Sequence, residues 1–272
     1  GRYAGAHAPL QSRSPAANIP ARPDPNKQAP FTEAELDRYA RHIILHEIGG
    51  QGQQRLKAAR VLVIGAGGLG SPALLYLAAA GVGRLILAHG GNLRPSDLNR
   101  QILMTHDWLG KPRIDSAVRR LRELNPDVEL AGIPENVSDE TAARLLEGAD
   151  IVIDAAPLFD ERFEMNREAV RRGKPMVECA MYEWEAHLTT FLPGRTACLA
   201  CLYPEEPAHW RRQFPVIGAV SGTIGALAAV EAIKVLTGIG EPLAGTLLAM
   251  DLRTMRFRRL AVRPDPACPV CG

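Results

Sequence analysis

The chain reads as an α/β protein: a Rossmann-like, mainly parallel sheet with helices on both faces, then a C-terminal part with short antiparallel strands. Three observations carry that reading. Short, continuously apolar runs alternate with helical patterns, as βαβ crossovers require. A GxGxxG loop follows the first of those runs directly and opens a helix. Four of the five cysteines fall in two pairs of CxxC spacing, which can staple the C-terminal part to the body.

Taken in order, residues 1–30 are Pro-rich and poor in large apolar side chains, so they cannot offset chain entropy and read as a tail. The folded domain is expected over 31–272. Thr32 and Glu35 have capping-box spacing at the head of FTEAELDRYARHIIL, which predicts a helix start. ARVLVIG is a buried parallel strand by its unbroken apolar run, and GAGGLGSPALLYLAAAGVG is a Gly-rich turn with an apolar helix. GRLILAH is a second strand, and PRIDSAVRRLRELNP a helix with its stripe at Ile114, Ala117, Val118 and Leu121. VELAGI, ADIVIDAA and PMVECA are the third to fifth strands, separated by the helices SDETAARLLEGA and ERFEMNREAVRRG. The alternation then breaks into AHLTTFL, a CxxC loop, a Gly/Ala-rich helix near 216–236, and the short strands GTLLAMDL and MRFRRLAV.

Bulk properties narrow the function classes. At 272 residues the chain can bury a large core. A net charge of +2 supplies no field to steer it to nucleic acid or a membrane surface. No unbroken apolar run reaches the length of a membrane span, and no secretory apolar core stands at the N-terminus, so a cytoplasmic, reducing setting is expected.

In the loop, Gly65 permits the tight turn, Gly67 and its neighbour Gly68 let backbone N–H groups approach a phosphate, and Gly70 allows close helix–strand packing. The helix N-terminus adds partial positive charge suited to an anion. A nicotinamide-binding fold would end its second strand on a carboxylate that holds the ribose hydroxyls. Here His89 stands at that place, and no carboxylate follows until Asp97.

Cys198, Cys201, Cys268 and Cys271 offer four soft thiolates in two knuckle-spaced pairs, the donor set of a closed, structural Zn²⁺ site. Cys179, alone and flanked by apolar residues, reads as core. His89, Asp97, Glu178, Glu183, His187 and His209 are titratable, and a histidine beside carboxylates can perform general acid–base chemistry. Trp184 and Trp210 lie in the same segments and read mainly as packing.

The motifs, in their order, resemble the ThiF/HesA/MoeB family of ubiquitin-activating-enzyme-like adenylyltransferases over residues 32–272. RYARHIIL (38–45), RVLVIGAGGLGS (60–71), SDLNRQIL (96–103), GKPRIDSA (110–117) and AAVEAIKVLTG (228–238) carry the resemblance, with the paired cysteines. It implies a homodimer that binds ATP and Mg²⁺ and adenylates a C-terminal carboxylate of a ubiquitin-like sulfur carrier, a peptide or a small molecule. It further implies catalytic roles on the triphosphate for Arg41, reaching across the dimer, for Arg100, and for Arg113 in place of the family's lysine. Gln101, Asp97 and Asp154 fall at nucleotide-site positions.

The chain departs from the pattern elsewhere. The acidic pair after the second strand is His89 and Gly91, and the family's SNLxRQ asparagine is Asp97. The DxTDN signature reads DAAPL, so the metal-binding aspartate becomes Pro157 and its neighbour Leu158. The position of a cysteine that some members use falls on Arg211. Two other readings therefore stay open: a partner or scaffold that keeps only the fold, zinc and dimer surface, and an enzyme using His89 and nearby carboxylates on a ligand other than ATP.

Overall fold

The computed structural model describes residues 30–208, 210 and 213–272. The predicted 1–30 tail, apart from Pro30, lies outside the described residues, as do His209 and Arg211. The capping box forms as its spacing predicts: Thr32 Oγ1 accepts from the Glu35 N–H at 3.2 Å, and Glu35 returns the bond to the Thr32 N–H at 2.8 Å. The helix it starts, α1 (Glu33–Arg38), stops at Tyr39 and restarts as α2 (Ala40–Ile43). A further helix, α3 (Gly49–Ala58), precedes the sheet. Its three glycines hide it from propensity, and it forms because Leu56 and Gln53 bury against the body.

One sheet of eight strands runs in the order β3-β2-β1-β4-β5-β6-β7-β8. Strands β1 (Arg60–Ile64), β2 (Arg84–Ala88), β3 (Glu129–Ile133), β4 (Ile151–Asp154) and β5 (Met176–Tyr182) are parallel. Strands β6 (Glu185–Phe191), β7 (Thr246–Asp251) and β8 (Arg256–Ala261) continue the same sheet antiparallel. Alternate residues of the central strands feed two cores, as the strand period of two dictates. Val61, Val63, Leu85, Leu87, Ile151 and Ile153 face one, with α4 (Gly70–Ala79), α5 (Arg113–Leu124) and α9 (Gly218–Thr237). Leu62, Ile64, Ile86 and Val152 face the other, with α6 (Asp139–Leu146) and α7 (Phe159–Arg171). Each such side chain stabilises the fold by roughly 1.5–3 kcal/mol through burial.

The expected absence of a segment long and apolar enough to span a membrane does not hold for α9, which at 20 residues meets that test by length and composition. Its placement explains the composition. Half of the helix is buried in the protein interior, and Glu231 accepts from the Thr190 hydroxyl and the Leu243 N–H, each at 2.7 Å. A buried carboxylate satisfied by the protein's own donors is the mark of a core helix.

Candidate active site and four-cysteine cluster

Where β1 ends, the chain must turn sharply beneath the end of β4. Gly65 takes φ +87°, and a Cβ there would lie 2.3 Å from the Ala155 carbonyl oxygen. A Cβ on Gly70 would lie 1.8 Å from the carbonyl oxygen of Gly65. These two glycines are fixed by backbone packing. Gly67 and Gly68 instead line a cavity of about 120 Å³. At Gly67 a Cβ would make ordinary contacts, 3.7 Å from the His89 ring and 3.8 Å from Gln101, so the absent side chain keeps backbone open to the cavity.

The cavity wall opposite the loop is cationic. Arg100, Gln101 and Arg113 line it, with Ser221 from the first turn of α9. The N-termini of α4 and α9 both begin at its edge, so two sets of unpaired amides add positive potential. Asp97, buried behind the wall, organises the arginines: its two carboxylate oxygens lie 3.4 Å from Arg100 Nη2 and from Arg113 Nη2. Gln101 completes the network, donating to Asp97 at 3.0 Å and accepting from Arg113 at 3.2 Å. The predicted group Asp97, Arg100, Gln101 and Arg113 is thus brought together around Gly67 and Gly68, with His89 on the same cavity. Among the described residues, no carboxylate lines it.

Arg41 stands apart, exposed on α2 and outside that lining. Asp154 is fully buried and sits behind the cavity. Its oxygens accept from the Ala156 N–H at 3.2 Å and from Arg162 Nη1 at 3.4 Å. Burial pushes its pKa up to about 6, Arg162 opposing the rise and the nearby Glu178 adding to it. Arg162 also reaches Glu178 Oε1 at 3.0 Å and the Cys179 carbonyl at 3.2 Å. Arg162 was no predicted site residue. The available signal was an arginine eight positions beyond the acid that ends β4, in the first turn of the crossover helix α7.

A second cavity, about 420 Å³, adjoins the first and shares Arg162, Met181 and Trp210 with it. His187 lines it, with Tyr203 and Phe159. His187 Nε2 lies 3.2 Å from Glu178 Oε1 and 3.1 Å from the Tyr203 hydroxyl. Phe159 packs edge-on against Tyr203 and Trp210, at centroid distances of 5.2 and 5.4 Å. Among the described titratable residues that the sequence singles out, Glu178 and His187 make direct contact. Sequence alone could not select them: Glu178 faces Thr189 in the β5–β6 register and reaches His187 across the diagonal.

The four paired cysteines converge at the C-terminus, their sulfurs all within 4.8 Å of one another. Cys198 and Cys268 are 3.7 Å apart, and Cys201 and Cys271 3.5 Å. Sulfurs bound tetrahedrally at about 2.3 Å from one ion stand near 3.8 Å apart, so the cluster fits a metal such as Zn²⁺. The Asp265 N–H lies 3.4 Å from Cys201 Sγ and orients that thiol.

Fold and site together define a class: a Rossmann-type nucleotide fold with an arginine-backed anion cradle at the end of β1 and a four-cysteine cluster fastening its C-terminus. The chain belongs to the ThiF family, whose model matches residues 39–270. It is 52% identical over 242 residues to the vegetative HesA protein of Trichormus variabilis, covering 89% of this chain and 91% of that one. It is 43% identical over 251 residues to the sulfur carrier protein adenylyltransferase of Thermus thermophilus, covering 89% and 93%. Among solved structures, E. coli MccB with ATP superposes with a TM-score of 0.76 at 26% identity, covering 87% of this chain and 74% of that one.

Proposed function

We propose that the protein activates a carboxylate by adenylation, using ATP bound in the 120 Å³ cavity with its phosphates on Gly67, Gly68, Arg100 and Arg113. The carboxylate attacks the α-phosphorus and pyrophosphate leaves, so negative charge grows on the phosphate oxygens. The observation that carries the reading is the placement of Arg100 and Arg113 against the glycine loop by a shared anchor, Asp97. Preorganised cations at a developing anion are the strongest single device for such a step. Asp97 accounts for one of the two positive charges, which leaves the wall net cationic. The sulfur carrier adenylyltransferase of Thermus thermophilus and MccB with ATP support the choice of reaction. A ubiquitin-like carrier or a peptide supplies the carboxylate.

The lining does not fit an all-protein Mg²⁺ site, since none of its described residues is a carboxylate. The arginines therefore neutralise phosphate charge that a carboxylate-held metal ion would otherwise help to balance. The cysteine cluster suits a structural Zn²⁺ with no open coordination position, and its thiols suit a reducing cytoplasm. Arg41, beside the exposed Ile44 and Leu45, fits a surface that a second copy covers, with Arg41 presented to the partner's cavity.

Pyrophosphate exchange tests the reading, with a folded ubiquitin-like carrier and with peptides bearing each of the twenty C-terminal residues. Exchange with at least one, abolished in Arg100→Ala, is the expected result. No exchange, together with no ATP binding by calorimetry, overturns it.

A further inference from the structure

The four-cysteine cluster and the 420 Å³ cavity are joined by one turn of helix, α8 (Leu199–Leu202), with Cys198 before it and Tyr203 after it. A single turn is too short to hold its own shape, so its position is set by whatever grips its two ends. At the cavity end the Tyr203 N–H closes the turn on the Leu199 carbonyl at 2.8 Å. The Tyr203 ring stands edge-on to Phe159, and its hydroxyl lies 3.1 Å from His187 Nε2.

The cluster end is gripped by Asn166 of α7, which is 1% exposed. Phe159, Arg162 and Asn166 are three and four residues apart, so they share one face of that helix. The Leu199 N–H donates to Asn166 Oδ1 at 2.9 Å. An N–H only donates, so the oxygen must face Leu199 and the amide nitrogen takes the other limb. That nitrogen is buried and has no nitrogen or oxygen partner among the described residues. A buried amide donor in that state calls for an acceptor of another kind. The sulfur of Cys198, one residue before Leu199, supplies it. Burial pushes the Cys198 thiol up, while the Cys201 backbone and then the Asn166 side chain favour the thiolate. α7 and α8 are therefore fastened twice, Asn166 to Leu199 beside the cluster and Phe159 to Tyr203 beside the cavity.

We infer that Asn166 is a positioning residue that ties the metal-loaded cluster to the cavity wall: its amide donates to the Cys198 thiolate, its carbonyl oxygen holds Leu199, and Tyr203 is thereby fixed against Phe159 and His187. This rests on the assignment of the cluster as a metal site. A metal-bound thiolate keeps lone pairs that accept such a bond, and a donor there orients the ligand and slows its loss. Withdrawal of the ion frees the cluster end of α8, and the displacement reaches Tyr203 one turn away. Trp210, edge-on to Phe159 at 5.4 Å, reports it.

The test uses the full chain loaded with one equivalent of Zn²⁺ and follows release of the ion to a chelating dye. Asn166→Asp keeps an acceptor for Leu199 but removes the donor, and Asn166→Ala removes both. Each is expected to release Zn²⁺ about 10–100-fold faster than wild type. Met165→Ala removes a buried apolar side chain from the same helix and controls for lost stability alone; its release should stay within about threefold of wild type. With Co²⁺ in place of Zn²⁺, the thiolate-to-metal absorption should shift in the Asn166 variants and not in Met165→Ala. Chelation of Zn²⁺ from wild type should change tryptophan fluorescence, and Trp210→Phe should lose most of that change. Release within twofold of wild type in both Asn166 variants overturns the inference, as does release from Met165→Ala as fast as theirs. Tryptophan fluorescence that ignores chelation in wild type overturns the link to the cavity. Wild-type protein that takes up neither ion removes the metal assignment and this inference together, whereas a loaded cluster indifferent to Asn166 removes this inference alone.

Discussion

Asp97 and Arg113 face each other 3.4 Å apart behind the glycine loop, a carboxylate and a guanidinium that are both buried. The carboxylate fixes the arginine proposed to bind phosphate, and it would also repel that phosphate. Asp97→Asn should separate those effects. Relief of about 1 kcal/mol of repulsion would tighten ATP binding roughly fivefold. Loss of the buried ion pairs should cost about 1–3 kcal/mol of stability. Calorimetry and urea unfolding read the two terms, and weaker ATP binding in the variant would show that anchoring outweighs repulsion.

Arg113 makes a different prediction. It donates to the Asn92 carbonyl at 2.8 Å and to Gln101 at 3.2 Å, a forked geometry that a lysine cannot copy. Arg113→Ala should lower pyrophosphate exchange by about 10²–10³-fold. Arg113→Lys should recover only part of that loss.

The buried Asp154 makes stability depend on pH. Its folded pKa is raised to about 6, above the unfolded value, so the protonated form is favoured in the native state. The stabilisation from protonating it is complete below about pH 4 and is lost as pH rises through about 6. Arg162, Glu178 and the Cys179 thiol are the groups around it. Asp154→Asn, which cannot ionise, should therefore gain on wild type by about 2–3 kcal/mol between pH 4 and 8. Urea unfolding at the two pH values checks the sign.

One equivalent of Zn²⁺ per chain should be found by elemental analysis. Cys271→Ser should lose the ion and lower the melting temperature, because the cluster joins α8 (Leu199–Leu202) to the C-terminal segment across some seventy residues. A full complement of metal in Cys271→Ser would contradict the assignment.

Trp210 lies on the wall of a cavity smaller than the ~300 Å³ usual for a bound ligand. Admission of a nucleotide must move that wall. ATP should therefore change tryptophan fluorescence in wild type, and the change should be largely absent in Trp210→Phe while Trp108 and Trp184 remain. An equal change in the variant would place the movement elsewhere.

Much of this molecule was legible from residue order alone. The apolar runs of β1, β2 and β4 specify buried parallel strands, because only a strand covered on both faces has no polar side to show. The capping box at Thr32 follows from contacts within a few residues, and the GxGxxG and CxxC spacings are legible locally, although Gly65 meets Ala155 and the two cysteine pairs meet each other only in the folded chain. Tertiary structure decided the rest. It split the 38–45 helix at Tyr39, buried an apolar twenty-residue helix in the core, and joined β6, β7 and β8 to the parallel sheet. It also shut Asp154 behind the cavity and brought His187 to Glu178 by a diagonal across two strands. The physical reason is register: which side chains share a face depends on pairings between distant segments. Those pairings are set by how the whole chain buries its apolar surface, and no local pattern encodes them.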